Sequence, residues 1–392
     1  MRLSDRVLRL KESATMAVTG RAKALQASGV DVVSFGAGQP DFVTPRHIIQ
    51  AAQKALDEGH TGYAVPPSGL PATKQAVCDK LRACNNLDYD PSQIIITVGG
   101  KEALFLAFLA MLNEGDEVIL PAPYWVSFPE QISLAGGRPV VVHGEERHGF
   151  RITPGQLGDA ITERTRAVVL NYPSNPTGHS YSPAQLRELA DVLAGRDIIV
   201  VADEMYDQLI YGEHEHVSWA TLSEETYGKT LTLNAVSKTY AMTGWRLGYA
   251  AGPTDLIKAM AKLQGQSTSG TVNFCQYGLI AALSGDQECV EEMRLEYDRR
   301  RHIMYAGLCA LDGVSCVEPT GAFYCFPNVS ATYARLGVRT SVEFAEKLLE
   351  EGHVAVVPGV AFGSDQYVRL SYAVNEERIR EGLSRLGKFL SA

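Results

Sequence analysis

The chain lacks the features that mark secreted, zinc-binding and membrane proteins. Its seven cysteines are an odd number, are scattered between residues 78 and 325, and include no Cys-x-x-Cys pair. Such spacing indicates neither a disulfide framework nor a zinc site, so no metal is expected. No run approaches the roughly 18 uninterrupted apolar residues of a membrane span, and no apolar segment follows the N-terminus. These absences favour a reduced, cytoplasmic protein.

Positive charge is also scarce. Lysine and arginine number 36 against 45 aspartate and glutamate residues, which leaves a net charge of −9. An acidic balance argues against a nucleic-acid partner, because nucleic acid binding usually needs a basic face. A few cations in a cleft are still enough to bind small anionic substrates.

The middle of the chain alternates short apolar runs with helical patterns such as the one at 182–194. The runs lie at 94–98, 117–120, 138–142, 167–170, 197–202, 230–233 and 247–251. Continuous apolar strands that alternate with helices predict an α/β fold, with a largely parallel sheet covered on both faces. In such sheets the chemistry gathers beyond the carboxyl ends of the strands.

The pattern changes after about residue 286. A charged helical run at 288–311 precedes short strand candidates at 322–326, 354–357 and 367–371. We interpret this part as a smaller α+β domain against which the first residues pack. The predicted division is a large domain at 45–285 and a unit formed by an N-terminal arm (1–44) and a small domain (286–392).

One lysine stands out, in the segment Ser-Lys-Thr-Tyr-Ala-Met-Thr-Gly-Trp-Arg-Leu-Gly-Tyr at 237–249. Lys238 follows a predicted strand, and a lysine amine with a lowered pKa forms a Schiff base with an aldehyde. Arg246 lies eight positions later, and its planar guanidinium suits a phosphate. The alternative is a lysine and an arginine on a solvated loop.

Three further residues follow strands in ways that suit a cleft. Asp203 ends the run Val-Val-Ala-Asp, where a carboxylate is costly unless it is paired, although a helix N-cap is the common alternative. Tyr206 comes three residues later and otherwise packs in the core. Asn175, in Asn-Tyr-Pro-Ser-Asn-Pro-Thr-Gly, lies in a rigid turn that holds its amide still.

The remaining candidates bear on anion binding and stacking. Gly99-Gly100-Lys101 lies at a strand-to-helix junction, where free N–H groups favour phosphate. Trp125 offers a flat ring for stacking, or packs in the core. Arg369, in Val-Arg-Leu-Ser-Tyr, is unusual in an apolar strand unless it faces a cleft or pairs with an acid.

Taken together and in this order, the segments resemble the fold-type I pyridoxal-phosphate (PLP) enzymes, and among them the class I aminotransferases. The similarity extends from about Ser13 to Arg380. It implies a large domain built on a mostly parallel seven-stranded sheet between helices, with a smaller α+β domain beside it. It also implies PLP as the cofactor and the transfer of an amino group from an L-amino acid to a 2-oxo acid by a ping-pong mechanism.

The resemblance assigns expected roles to the cofactor-binding candidates. Lys238 resembles the lysine that forms the Schiff base and shuttles the proton, and Asp203 resembles the partner of the pyridinium nitrogen. Asn175 and Tyr206 resemble the pair that bonds the phenolic oxygen. The remaining matches are the stacking ring of Trp125 and a phosphate cradle formed by Ser237, Arg246 and the backbone of Gly100 and Lys101.

The resemblance also suggests how substrate is held and how subunits combine. Arg369 resembles the clamp for the α-carboxylate, assisted by Asn175 and by the backbone near Gly38. Tyr63 resembles the tyrosine that reaches the phosphate of the neighbouring subunit's cofactor. A homodimer with shared active sites follows from that match.

The substrate class rests on two further matches. Lys101, in Gly-Gly-Lys-Glu-Ala-Leu-Phe, resembles the lysine that subgroup Ib aspartate aminotransferases use for the distal carboxylate, and Thr15 lies in a similar Ser-Ala-Thr segment. Aspartate and glutamate are therefore the expected amino donors, although Glu102 beside Lys101 is placed to neutralise it. Alternatives are an aromatic, prephenate or alanine aminotransferase, a PLP-dependent lyase, or a non-catalytic regulator on the same fold.

Overall fold

A computed structural model describes residues 2–8, 10 and 14–391, without the side chains of residues 14–17 and 19. Within this part the chain forms sixteen α-helices and twelve strands. The strands are β1 Val33–Ser34, β2 Ile94–Thr97, β3 Glu117–Ala122, β4 Arg138–His143, β5 Thr165–Asn171, β6 Ile199–Asp203, β7 Thr230–Ala235, β8 Gly248–Ala251, β9 Tyr324–Cys325, β10 Val354–Ala355, β11 Val357–Pro358 and β12 Val368–Ser371.

The helices fill the stretches between the strands and both ends of the chain. They are α1 Asp5–Leu8, α2 Ala14–Ala27, α3 Arg46–Asp57, α4 Pro71–Asn85, α5 Gly100–Met111, α6 Ser127–Leu134, α7 Pro154–Ala160, α8 Pro183–Leu193, α9 Glu224–Gly228, α10 Val236–Thr239, α11 Thr254–Ser267, α12 Asn273–Ser284, α13 Glu288–Cys309, α14 Tyr333–Leu336, α15 Ser341–Glu351 and α16 Glu376–Ser391. None of them is long and apolar enough to cross a membrane.

The seven-stranded sheet has the order β2-β8-β7-β6-β5-β3-β4. All neighbouring strands are parallel except at β8, which runs antiparallel to both β2 and β7. The expected α/β fold with a mostly parallel sheet is therefore confirmed. Because only β8 is reversed, the carboxyl ends of the other strands meet at one edge.

Helices cover both faces of this sheet, which explains why its strands are apolar on both sides. On one face, Leu104 and Phe108 of α5 pack with Met260 of α11 against the strands. On the other face, Leu186 and Leu189 of α8 belong to a second buried cluster. Residues that are buried on either face of a parallel sheet must be apolar, since neither face contacts water.

A smaller unit contains the remaining strands and the C-terminal helices. β12 lies between β11 and β9 in an antiparallel sheet, and β1 pairs with β10 in parallel. Phe35, which follows β1, is buried with Leu348 of α15 and Phe389 of α16. This packing joins the N-terminal arm to the C-terminal part, and on it we propose the division into 45–285 and the paired segments 1–44 and 286–392.

Candidate active site

Eleven of the thirteen predicted site residues line one cavity of about 660 Å³ at the carboxyl edge of the large sheet. They are Gly38, Gly100, Lys101, Trp125, Asn175, Asp203, Tyr206, Ser237, Lys238, Arg246 and Arg369. Parallel strands bring these distant segments together, while β12 and the segment after β1 supply the opposite wall. The cavity therefore lies where the two cores meet.

Lys238 reaches the cavity from the short helix α10, which begins directly after β7. Its Nζ donates a hydrogen bond to the carbonyl oxygen of Gly38. Burial, followed by the positive charges of Arg369 and Arg246, lowers the pKa of Lys238 to about 7. A large fraction of this amine is thus neutral near neutral pH, as a nucleophile or a general base requires.

Asp203 is the last residue of β6 and is 5% exposed. Its carboxylate accepts a hydrogen bond from the Met205 N–H at 3.3 Å, and no cation within the described residues pairs with it. Burial raises the pKa of Asp203 to about 7, and the neighbouring charge of Glu204 also raises it. A cationic ligand group beside Asp203 would favour its charged form and lower its pKa again.

The segment that carries Asp203 and Tyr206 is anchored by Glu204, whose side chain is fully buried. Glu204 accepts hydrogen bonds from the hydroxyls of Tyr172 (3.1 Å) and Ser218 (2.5 Å), and from the Trp219 N–H (3.1 Å). The oxygen that accepts from Ser218, Oε2, also lies 2.9 Å from His216 Nε2. Several partners hold the carboxylate in place, as a buried charge requires.

Asp207 anchors the other end of the same segment. Its carboxylate lies 2.5 Å from the buried Lys80 ammonium, which also donates to Asn85 at 2.7 Å. Burial alone would raise the pKa of Asp207, but Lys80 brings it down to about 2, so the pair is charged. Residues 204 and 207 thus fix the backbone between them, and with it the position of Tyr206.

Arg369 lies on β12 with 2% of its surface exposed. Its Nη1 donates to Asn175 Oδ1 at 2.9 Å and its Nη2 to the Gly36 carbonyl at 2.7 Å, while its Nε has no partner. The salt-bridge alternative for Arg369 is wrong, since no acidic side chain pairs with it within the described residues. A buried guanidinium without a carboxylate is suited to binding one from a ligand.

Two aromatic rings and a glycine shape the space around Arg369. The guanidinium carbon lies 4.6 Å from the ring centroid of Tyr324, and the Tyr324 hydroxyl lies 2.9 Å from that of Tyr206. A Cβ added to Gly38 would meet the Tyr324 hydroxyl at 3.0 Å. Tyr324 was not predicted from the sequence, because nothing in its apolar surroundings distinguishes it from a core residue.

The N-terminus of α5 and Arg246 form an anion-binding corner of the cavity. Gly99 has a φ of 75°, and a Cβ there would meet Arg246 Nη2 at 2.6 Å. A Cβ on Gly248 would lie 2.4 Å from the Gly100 nitrogen. Both glycines are therefore required for the close approach of Arg246 and β8 to the helix N-terminus, where N–H groups favour an anion.

Lys101 extends along the cavity wall, with its Nζ 4.9 Å from the ring centroid of Trp125. Burial and Arg246 lower the pKa of Lys101. Glu102 does not neutralise Lys101 by direct contact, because its carboxylate accepts hydrogen bonds from the Val98 N–H and, at 3.0 Å, from the Thr268 hydroxyl. The ammonium thus stays available to a ligand.

Two predicted residues are not among those that line the described part of the cavity. Tyr63 is 84% exposed and does not reach the site of its own chain. The side chain of Thr15 lies outside the described residues. Among the lining residues not predicted as site residues is Asn171, at the end of β5, which donates to the Asp203 carbonyl at 3.2 Å and accepts from the Asn175 N–H at 2.9 Å.

This geometry agrees with comparisons to known proteins. The family model for aminotransferase class I and II matches residues 30–386, and the chain belongs to that family. It is an aminotransferase, 50% identical over the full length of both chains to the aspartate aminotransferase of Geobacillus stearothermophilus. It is also 48% identical to that of Bacillus subtilis (strain 168), over 100% of this chain and 99% of the relative.

The solved structures agree with the sequence relatives. Thermus thermophilus aspartate aminotransferase with maleate superimposes with a TM-score of 0.94 at 44% identity. That match covers 99% of this chain and 100% of the other. Fold and family are therefore shown over nearly the whole length.

The unpaired Asp203 carboxylate leads to a prediction about the ligand-free protein. The pKa of Asp203 is about 7 in the fold and about 4 in an unfolded chain. Its ionisation therefore destabilises the fold increasingly as the pH rises from about 4 to about 7, and by a constant amount above that. We expect Asp203→Asn to raise the free energy of unfolding by a few kcal/mol at about pH 8, and by little at about pH 4.

Urea denaturation at both pH values measures this difference. The exposed Asp255 provides the matched control, and Asp255→Asn should change stability little at either pH. An equal gain for Asp203→Asn at the two pH values would contradict the assigned titration.

Proposed function

We propose that this aminotransferase binds pyridoxal 5′-phosphate and moves the amino group of aspartate or glutamate to a 2-oxo acid in a ping-pong reaction. The proposal rests on two buried charges in one cavity that lack an opposite charge among the described residues. Asp203 is a carboxylate without a paired cation there, and Arg369 is a cation without a paired carboxylate. Lys238 lies in the same cavity with a pKa of about 7.

The residues present fit the cofactor at each of its polar groups. A protonated pyridine nitrogen is the cation that would lower the cost of burying Asp203. The α5 N-terminus, Arg246 and Ser237 would hold the phosphate, since helix N–H groups and a guanidinium both favour it. The hydroxyl of Tyr206 and the amide of Asn175 would bond the phenolic oxygen.

When bound, the cofactor supplies an aldehyde that takes up the amino group and a ring that draws electrons from the substrate Cα. The protein supplies the base. Lys238, whose pKa is lowered to about 7, would take the proton from the substrate Cα through its Nζ and release it to carbon C4′ of the cofactor from the same side. Arg369 would hold the α-carboxylate by two parallel N–H donors, which fixes the Cα–H bond beside that base.

An acidic substrate is favoured by the charges that line the cavity. Lys23, Lys101, Lys238, Arg246 and Arg369 line it, and Asp203 is the acidic residue among its described walls. Once Asp203 is paired and Arg369 binds the α-carboxylate, Lys101 is left to bind a second carboxylate. The names of the relatives at 48% and 50% identity support the same substrate.

Lys238→Ala tests the cofactor assignment. We expect the variant to fold but to lose the visible absorbance of the bound cofactor, with turnover falling by about 10²–10⁴-fold or more, because the base is removed. Absorbance spectra of protein loaded with PLP and mixed with aspartate measure both effects. Lys262→Ala, on the exposed side of α11, is the control and should keep spectrum and turnover. Retention of the absorbance in Lys238→Ala would refute the assignment.

Substrate preference is tested by Lys101→Ala beside Arg369→Leu. Lys101→Ala should lower kcat/KM for aspartate by about 10–100-fold relative to alanine, the value of one charge-assisted hydrogen bond. Arg369→Leu should lower kcat/KM for all amino acids alike, because every one carries the α-carboxylate. Steady-state kinetics with aspartate, glutamate, alanine and phenylalanine separate the two patterns. An unchanged aspartate preference in Lys101→Ala would move the proposal to neutral or aromatic donors.

We also propose that two chains form a dimer in which Tyr63 reaches the partner's phosphate site. Tyr63 (84%), Val65 (72%) and Val43 (81%) are strongly exposed apolar residues. Val272 (49%) lies beside the same loop, because its neighbour Asn273 donates to the Gly62 carbonyl at 3.0 Å. Exposed apolar clusters of this kind mark interfaces between proteins.

Tyr63→Phe tests the shared site, because it removes a hydroxyl and leaves the ring. Sedimentation should give a dimer for both proteins, while the Kd for PLP should rise about tenfold in the variant, the value of one hydrogen bond to a charged group. Tyr305→Phe, on α13, is the control and should leave the Kd unchanged. A monomer in solution, or an unaltered Kd in Tyr63→Phe, would contradict the proposal.

A further inference from the structure

A second, much smaller cavity of about 30 Å³ lies behind the active site. It is bounded by the ends of β3 and β5, by residues 149–151 and by the turn that begins at Asn171. Asn171 lines both cavities, so one side chain separates them. Nothing in the proposed transamination uses this second space.

Two side chains on its wall, His179 and Arg151, each carry a buried nitrogen without a partner among the described residues. His179 is 5% exposed and its Nε2 has no hydrogen-bond partner. The Nε of Arg151 is likewise buried and unpartnered, while its Nη1 donates to the Ser180 carbonyl at 3.0 Å. Unsatisfied buried donors of this kind cost about 1–3 kcal/mol each unless a ligand or water meets them.

The charge of the wall is positive. Arg151 forms no ion pair with an acidic side chain of the described chain, and no aspartate or glutamate lines the cavity. Burial, Arg151 and His214 lower the pKa of His179 to about 3, so its imidazole is neutral and can present an N–H. A partly buried guanidinium that has no counter-charge among the described residues favours an anion over a neutral molecule.

The position of Arg151 is set by the backbone beside it. Gly149 has a φ of 60°, and a Cβ there would meet three guanidinium atoms of Arg151 at 3.1 Å. The guanidinium therefore packs against a bare glycine, which holds it at the cavity wall. The volume has room for one or two water-sized groups and excludes phosphate or a carboxylic acid substrate.

From these observations we infer that Arg151 and His179 form a binding site for one small monovalent anion of the halide class. The bound anion would accept hydrogen bonds from Arg151 Nε and His179 Nε2. It would also lie against Asn171, Ser174 and Thr177, which belong to the turn that carries Asn175. The site thus stabilises the wall of the active site from behind, independently of the cofactor.

Bromide is the probe, because it scatters anomalously. Crystals of the PLP-loaded protein, grown in sodium gluconate and soaked in sodium bromide, should show an anomalous peak between Arg151 and His179. Gluconate is too large for the cavity and supplies equal ionic strength. Absence of a peak there, or a water in its place, would overturn the inference even if no variant can be made.

Thermal unfolding gives the second measurement. Replacing gluconate by bromide at ten times its Kd should raise the Tm by about 2 °C. The rise should disappear in Arg151→Gln and persist in Arg187→Gln, a substitution of an exposed arginine on α8. An equal rise in Arg151→Gln would overturn the inference. The visible absorbance of the cofactor should be the same in all three proteins, which separates this site from the proposed function.

Discussion

The active site depends on the anchoring of residues 203–207 by buried charge. Glu204 and Asp207 point away from the cavity into a polar network, in which Lys80 and the Trp219 N–H are among their partners. Because each carboxylate has its partners in place, moving the segment would separate a buried charge from them, at a cost of several kcal/mol. The intervening backbone therefore has one position. Asp203 and Tyr206 face the cavity as a consequence.

In the cavity, by contrast, two buried charged side chains have no partner of opposite charge among the described residues. Asp203 and Arg369 are 5% and 2% exposed, nearly as deeply buried as Glu204, yet neither pairs with an opposite charge from the described chain. The free-energy cost of burying these two charges is therefore offset only when a ligand supplies the opposite charge. Burial lowers the pKa of Lys238, and the positive charges of Arg369 and Arg246 lower it further. The unpaired charge of Arg369 therefore bears both on anion binding and on the pKa of the proposed base.

The large sheet and most of its chemistry could be predicted from the sequence. Apolar runs between helical patterns required a covered parallel sheet, and each functional motif followed one of those runs. Asp203 after β6 and Lys238 after β7 therefore had to meet at one edge. The partners of Glu204 were not predictable, because Tyr172, His216 and Trp219 come from loops whose sequences do not reveal their contacts. Tyr324 was missed for a different reason, since it lies in β9 among apolar residues and resembles a core residue.

By itself the sequence predicted which side chains are candidates for the chemistry, because an aspartate, an asparagine and a lysine follow strands whose carboxyl ends meet at one edge of the sheet. Tertiary structure alone decided which charges are paired. Glu102 is turned towards Val98 and Thr268, so it does not neutralise Lys101 by direct contact, an outcome that adjacency in the chain left open. Arg369 lacks an acid because β12 buries it against Tyr324 and Phe362. Charge pairing depends on distance in space, which only the packing of distant segments determines.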